Sequence, residues 1–219
     1  MATFKDKILI DLHVHTDISP CGHQSLRDCL QRAQEIGLEV VCITDHFSTE
    51  AACELKSLPF KRPKVFVGME YSVREGDFLL FAPDKVPYLP PGLSAEEVFS
   101  EIHHLKGLVI WAHPFRWGRI PDERLLEKGL VDAIEVLNGR TSPVENEKAR
   151  AFAQAFGLPM VAGSDAHTTD ELGSVANLAL QKIETVSQLI EAIKKGLLEP
   201  LILSKDLHHT YQWVLKGCR

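Results

Sequence analysis

Short apolar runs, each ending in His, Asp or Glu, recur along this chain. They are DLHVHT at 11–16, ITDHF at 43–47, VGMEYS at 67–72, WAHPF at 111–115, IEVLNGR at 134–140 and GSDAHTT at 163–169. A strand buried on both faces reads as a continuous apolar run, and its carboxyl end is where α/β enzymes collect their chemistry. Strands are predicted at 8–12, 40–44, 64–69, 78–81, 108–111, 133–137 and 159–162. Segments of helical period separate many of them, at 25–36, 49–58, 94–105, 122–128 and 143–156. Ser25 and Ser94 stand where an N-cap belongs, with Asp28 and Glu97 three residues on, and Gly37 and Gly157 stop their helices. The proline-rich stretch 84–92 reads as a loop. Past Gly173 come a β-like stretch to Leu180, a helix over 187–195 and a short apolar run at Leu201.

Repeated βα units predict an α/β fold. A closed or nearly closed parallel barrel is preferred to an open doubly wound sheet. An open sheet gathers ligands at one switch point, whereas here almost every strand tip carries a polar residue.

Composition sets limits on this picture. A chain of 219 residues, 45% hydrophobic and 25% charged, is expected to form a single domain over 1–219 with its own core. A net charge of -6 without a like-charge run does not suggest a nucleic-acid-binding surface. No stretch approaches the roughly 18 apolar residues of a membrane span, and the short apolar N-terminal stretch runs straight into the first motif, unlike a signal peptide. Five cysteines without a CxxC pair fit reduced thiols and a cytoplasmic location. The tail LHHTYQWVLKGCR, 207–219, is expected to pack on the domain or on another subunit.

The strand tips carry the chemistry. His13 and His15 are two apart and project to one side of a regular strand, with Asp11 on the same side. Asp45 and His46 follow VVCIT without a turn residue, Glu70 follows VFVGM, His113 follows LVIWA, and Asp165 and His167 follow PMVAGS. Burying such groups costs several kcal/mol, at roughly that order, unless they are paired or bound to metal. Mixed imidazole and carboxylate donors suit zinc, manganese or iron, and they exceed what one ion needs. More than one ion is therefore implied, with a carboxylate such as Glu70 or Asp165 bridging. The resulting positive surplus favours an anionic substrate. Arg116 and Arg119 leave the strand tip after His113 and are candidates to grip a phosphate, Arg119 equally a surface ion-pair partner. Asn138 is expected either to orient substrate or to support a turn.

The ordered series DLHVHT, TDH, GME, AHP and GSDAH resembles the PHP (polymerase and histidinol phosphatase) family over residues 11–167. The resemblance implies a distorted (β/α)7 TIM-like barrel with two or three divalent ions at the C-terminal ends of its strands, and usually phosphoester hydrolysis. Carried over by position, His13, His15, Glu70 and Asp165 would hold one ion, Glu70 would bridge to another at His113, and His46 and His167 would serve a further one. Where the family often has His, this chain has Asp77 in EGDFLLF. The segment DISPCGH offers Asp17, Cys21 and His23 for the third ion.

The expected reaction is attack on phosphorus by a water acidified between two ions about 3.5 to 4 Å apart, with Arg116 absorbing charge. A metal-site His, as His167 would be, or a metal-bound water would protonate the leaving alcohol, and Asp45 would orient a ligand. The substrate would be a small phosphorylated molecule, with nucleic-acid ends presenting the same phosphate and no membrane involved. Hydrolysis of a C–N or lactone bond, and a noncatalytic metal-binding module, are the alternatives.

Overall fold

The computed structural model describes residues 7–203, so the predicted role of the 207–219 tail lies outside the described residues. Ten strands form two five-stranded mixed sheets among the described residues. The first has the order β10 (Leu198–Ile202), β9 (Val175–Ala179), β1 (Ile8–Val14), β2 (Val40–Ile43), β3 (Lys64–Val67). The second runs β4 (Met69–Val73), β5 (Gly76–Phe81), β6 (Leu108–Ala112), β7 (Ala133–Asn138), β8 (Met160–Gly163).

This corrects the expected (β/α)7 TIM-like barrel. Only β1–β2–β3 and β6–β7–β8 are parallel, while β4–β5–β6 and β1–β9–β10 are antiparallel. Arg74 and Glu75 alone separate β4 from β5, and a parallel return needs a crossover of about a dozen residues or more. Among the described residues no continuous ladder closes the two sheets into a barrel. Where they adjoin, pairing falls to the isolated bridges Val14 to Ala166 and His46 to Glu70.

The single strand predicted over 64–69 is broken at Gly68. A Cβ there would lie 2.7 Å from the Leu80 carbonyl oxygen, so the chain passes close under β5 before Glu70 starts along the second sheet.

The helices α1 (Leu26–Glu35), α2 (Ala51–Glu54), α3 (Ala95–His104), α4 (Arg124–Glu127), α5 (Pro143–Ala155) and α6 (Val186–Lys194) complete the order. Ser25, Ser94 and Ser142 each cap a helix by accepting the backbone N–H three residues on. At Ser94 and Ser142 the glutamate returns the bond to the cap's own N–H, closing a capping box. The helix predicted over 49–58 is only α2 followed by a 3-10 turn at Leu55–Ser57.

One apolar cluster lies between the sheets, where Ile10 and Leu12 of β1 meet Leu79 and Phe81 of β5 and Ile110 of β6. A second lies under α3 and α5, and a third under α1. Burial on both faces is why the strands read as unbroken apolar runs. No helix among the described residues is long and apolar enough to cross a membrane.

Candidate metal centre

The ends of β1, β2, β6 and β8, with the start of β4, converge on one buried cluster. His13 Nε2 and His15 Nε2 stand 3.0 Å apart. Glu70 Oε2 lies 3.3 Å from the first and 3.1 Å from the second, and Asp165 Oδ1 lies 3.4 and 3.3 Å from them. His46 Nε2 reaches the same Glu70 Oε2 at 3.3 Å, while His113 Nε2 meets Glu70 Oε1 at 3.2 Å. The two oxygens of Glu70 thus face different sets of imidazoles.

The hydrogen bonds on the far side of each ring fix which nitrogen faces inward. His13 Nδ1 donates to Glu135 Oε1 at 3.0 Å, and His167 Nδ1 donates to the Asp165 carbonyl at 2.8 Å. Both acceptors lack a proton to give, so the inward Nε2 atoms carry lone pairs when the rings are neutral. His15 Nδ1 faces Ser19 Oγ at 3.3 Å, and that hydroxyl donates to Asp45 Oδ1. Its Nε2 lone pair then opposes that of His13 and the carboxylates beside it. Such a set is stable only with a positive charge at its centre, a proton or a cation.

The electrostatics agree. Burial alone would lower the His13 pKa, but Asp165, Glu135 and Glu70 raise it well above the usual histidine value. Burial disfavours the Glu70 carboxylate, yet His13 and the imidazoles bonded to it hold its pKa well below the ordinary range. Asp165 is likewise held down against burial, by His13, His15 and Arg116.

Among the described residues, three groups have ligand atoms within 4.8 Å of one another: His13, Glu70 and His113; His13, His15 and Asp165; His15, Cys21 and His46. Nitrogen and carboxylate oxygen dominate, so the residues present fit a cluster of borderline divalent ions.

The remaining candidates fall in different places. Cys21 is half-buried beside His15 and His46, whereas Asp17 and His23 are exposed and belong to none of the three groups. Asp77 Oδ2 lies 4.0 Å from His113 Nδ1, which is buried without a hydrogen-bond partner among the described residues. Its oxygens are engaged by Ser72 Oγ and Arg119 Nη1, both at 2.6 Å. Asp45 accepts from Thr16 N, Thr16 Oγ1 and Ser19 Oγ, each at 2.7 Å, and so acts on His15 through Ser19. Arg116 Nη2 bonds Asp165 Oδ2 and Asn138 Oδ1. Asn138 also donates to Glu135 Oε2 at 2.9 Å, so its amide is spent on protein groups.

Sequence reasoning missed Glu135. Besides His13, it accepts from the His113 backbone N–H at 2.9 Å and is fully buried in β7. The signal was a carboxylate inside the apolar run AIEVL, costly to bury without partners. Gly163 makes room for it, since a Cβ there would sit 2.3 Å from His13 Cβ and 2.4 Å from Glu135 Oε1. His113 and Asp165 hold φ of 31° and 55°, left-handed values that non-glycine residues seldom adopt outside sites that constrain them.

Comparison with known proteins places this architecture. The PHP-associated family (PHP_C) matches residues 143–198. An uncharacterized protein of Methanocaldococcus jannaschii is 33% identical over 141 residues, 58% of this chain and 80% of its own length. A protein of Shewanella piezotolerans named as a probable phosphatase is 28% identical over 221 residues, covering 85% of this chain and 89% of that one. Among solved structures, PsfC from Pseudomonas syringae superposes with a TM-score of 0.74 at 18% identity, over 91% of this chain and 93% of that one. The lesion-specific endonuclease PfuEndoQ from Pyrococcus furiosus gives 0.68 at 20% identity, over 94% of this chain and 64% of that one. At these identities the structural likeness is one of fold. The chain belongs to the PHP family.

Proposed function

We propose that this protein is a metal-dependent phosphoesterase. The observation that carries the reading is the guanidinium of Arg116 bonded to Asp165 at the edge of the histidine and carboxylate cluster. A phosphoryl group approaching that cluster meets a planar cation already oriented by Asn138 and by Thr141 Oγ1, 3.2 Å from its Nε. The phosphatase and endonuclease named above support the same class of reaction.

His13, His15, Glu70 and Asp165 would hold one ion, and His113 a second, bridged by Glu70. His46 would serve a third with His167, and the place of Cys21 beside His15 and His46 favours it over Asp17 and His23. Asp77, 4.0 Å from His113 Nδ1, would join it as a ligand. Bound ions of this kind activate water and neutralise charge on phosphoryl oxygens. The protein's own residues do the rest. Arg116 orients the phosphoryl group, Asp45 and Glu135 hold the imidazoles in register, and His167, its Nδ1 fixed on the Asp165 carbonyl, presents only Nε2 to the site, as a ligand.

The test joins metal analysis to a screen of phosphomonoesters and phosphodiesters. The purified protein should carry zinc, manganese or iron and hydrolyse a phosphoester, with Arg116→Ala lowering kcat/KM by about 10² to 10³. A metal-loaded protein inert towards every phosphoester but active on an amide or lactone would overturn the reading.

A further inference from the structure

Trp117 is 81% exposed, yet it is not loosely held. It sits at φ 58° and ψ 30°, a left-handed conformation unfavourable for a bulky residue, followed by Gly118 at φ 72°. The turn is closed by Arg116 N to the His113 carbonyl at 3.0 Å and Arg119 N to the Arg116 carbonyl at 3.2 Å. Phe115 anchors its foot, edge-on to Phe152 of α5 with ring centroids 5.5 Å apart. The turn therefore projects a largely exposed indole directly after the His113 strand tip.

Two guanidiniums flank that indole. Arg116 Cζ is 5.9 Å and Arg119 Cζ 5.6 Å from the ring centroid, within cation–π range. Arg116 also touches Asp165 and Arg119 touches Asp77, so each links the exposed ring to a carboxylate at the metal centre. Beyond Arg119 a polar hollow of about 280 Å³ is lined by Arg74, Glu75, Ile120, Asp122 and Arg124. The ring offers a stacking face, the arginines attract phosphate, and the hollow accepts polar groups rather than an apolar tail.

From this juxtaposition we infer that Trp117 is a specificity residue that stacks the base of a nucleotide substrate while its phosphate lies at Arg116. The inference rests on the phosphoesterase reading for its chemistry, but not for its binding step. Base stacking on an aromatic side chain is sequence-tolerant, so the platform selects nucleotides as a class rather than one base.

The experiment compares adenosine 5′-monophosphate with ribose 5-phosphate, which has the same phosphate and no base. The wild type should show a lower KM for the nucleotide. Trp117→Ala should shrink that gap by about tenfold and Trp117→Phe should largely keep it. Equal KM values in the wild type, or an undiminished gap in Trp117→Ala, would overturn the inference. Fluorescence separates the two readings. If the whole phosphoester screen is blank and an amide or lactone is cleaved instead, but the nucleotide quenches wild-type emission and not that of Trp117→Phe, the stacking site stands and the phosphoesterase reading falls. That same hydrolysis result without quenching removes both.

Discussion

Glu135 shows how much of the histidine and carboxylate cluster depends on a residue behind it. Its Oε1 accepts from His13 Nδ1 and its Oε2 from the His113 backbone and Asn138, so one carboxylate holds a ring, a backbone N–H and a side-chain amide. Glu135→Gln keeps the shape but removes the charge that makes His13 a better donor. We expect metal affinity to fall about 10- to 100-fold, read by competition with a chromogenic chelator, with the circular dichroism of the wild type retained. The histidines and acids at the strand tips were legible in the sequence because each interrupts an apolar run. Glu135 was not singled out because it lies mid-strand, flanked by Ile134 and Val136, where only the geometry shows what satisfies it. Asp45 is an intermediate case. Its position beside His46 was evident, but its action through Thr16 and Ser19 follows from a turn that spacing does not specify.

Among the elements, those with strong local signals were the readable ones. Apolar runs located nearly every strand, and Ser25 and Ser94 marked their helix starts within a residue. Strand direction was not readable, because it depends on the Arg74–Glu75 turn and on a pairing of β1 with β9 that no local pattern announces. Helix α5 packs behind the site strands and carries the Phe152 that supports the Phe115 turn. Its capping box at Ser142 and Glu145 therefore stabilises an element the site leans on. Ser142→Ala should cost about 1 kcal/mol, seen as a lower urea midpoint with an unchanged slope.

At the level of the whole molecule, Asp132 ties distant parts together. Its Oδ2 accepts from His103 Nε2 of α3 at 2.9 Å and from the Val109 N–H of β6 at 2.8 Å, while Oδ1 lies 3.1 Å from Lys194 Nζ of α6. Burial would raise its pKa, but the His103 and Val109 hydrogen bonds and the Lys194 charge hold it below the ordinary carboxylate value. A carboxyl whose folded pKa is depressed contributes its stability in full above the unfolded value, about 3.9, and loses it as pH falls through the folded pKa. Stability measured by urea should drop through that acid range in the wild type, and Asp132→Asn should flatten the drop.

The pairing of Ile8 with Ala179 sets an order of events during synthesis. The strand bearing His13 and His15 leaves the ribosome early, yet the strand that covers its open edge is made only after the whole second sheet, and Asp165 arrives just before it. A nascent chain halted before that point has an uncovered edge strand and an unfinished ligand set. Early termination thus yields an association-prone fragment rather than a merely less stable protein.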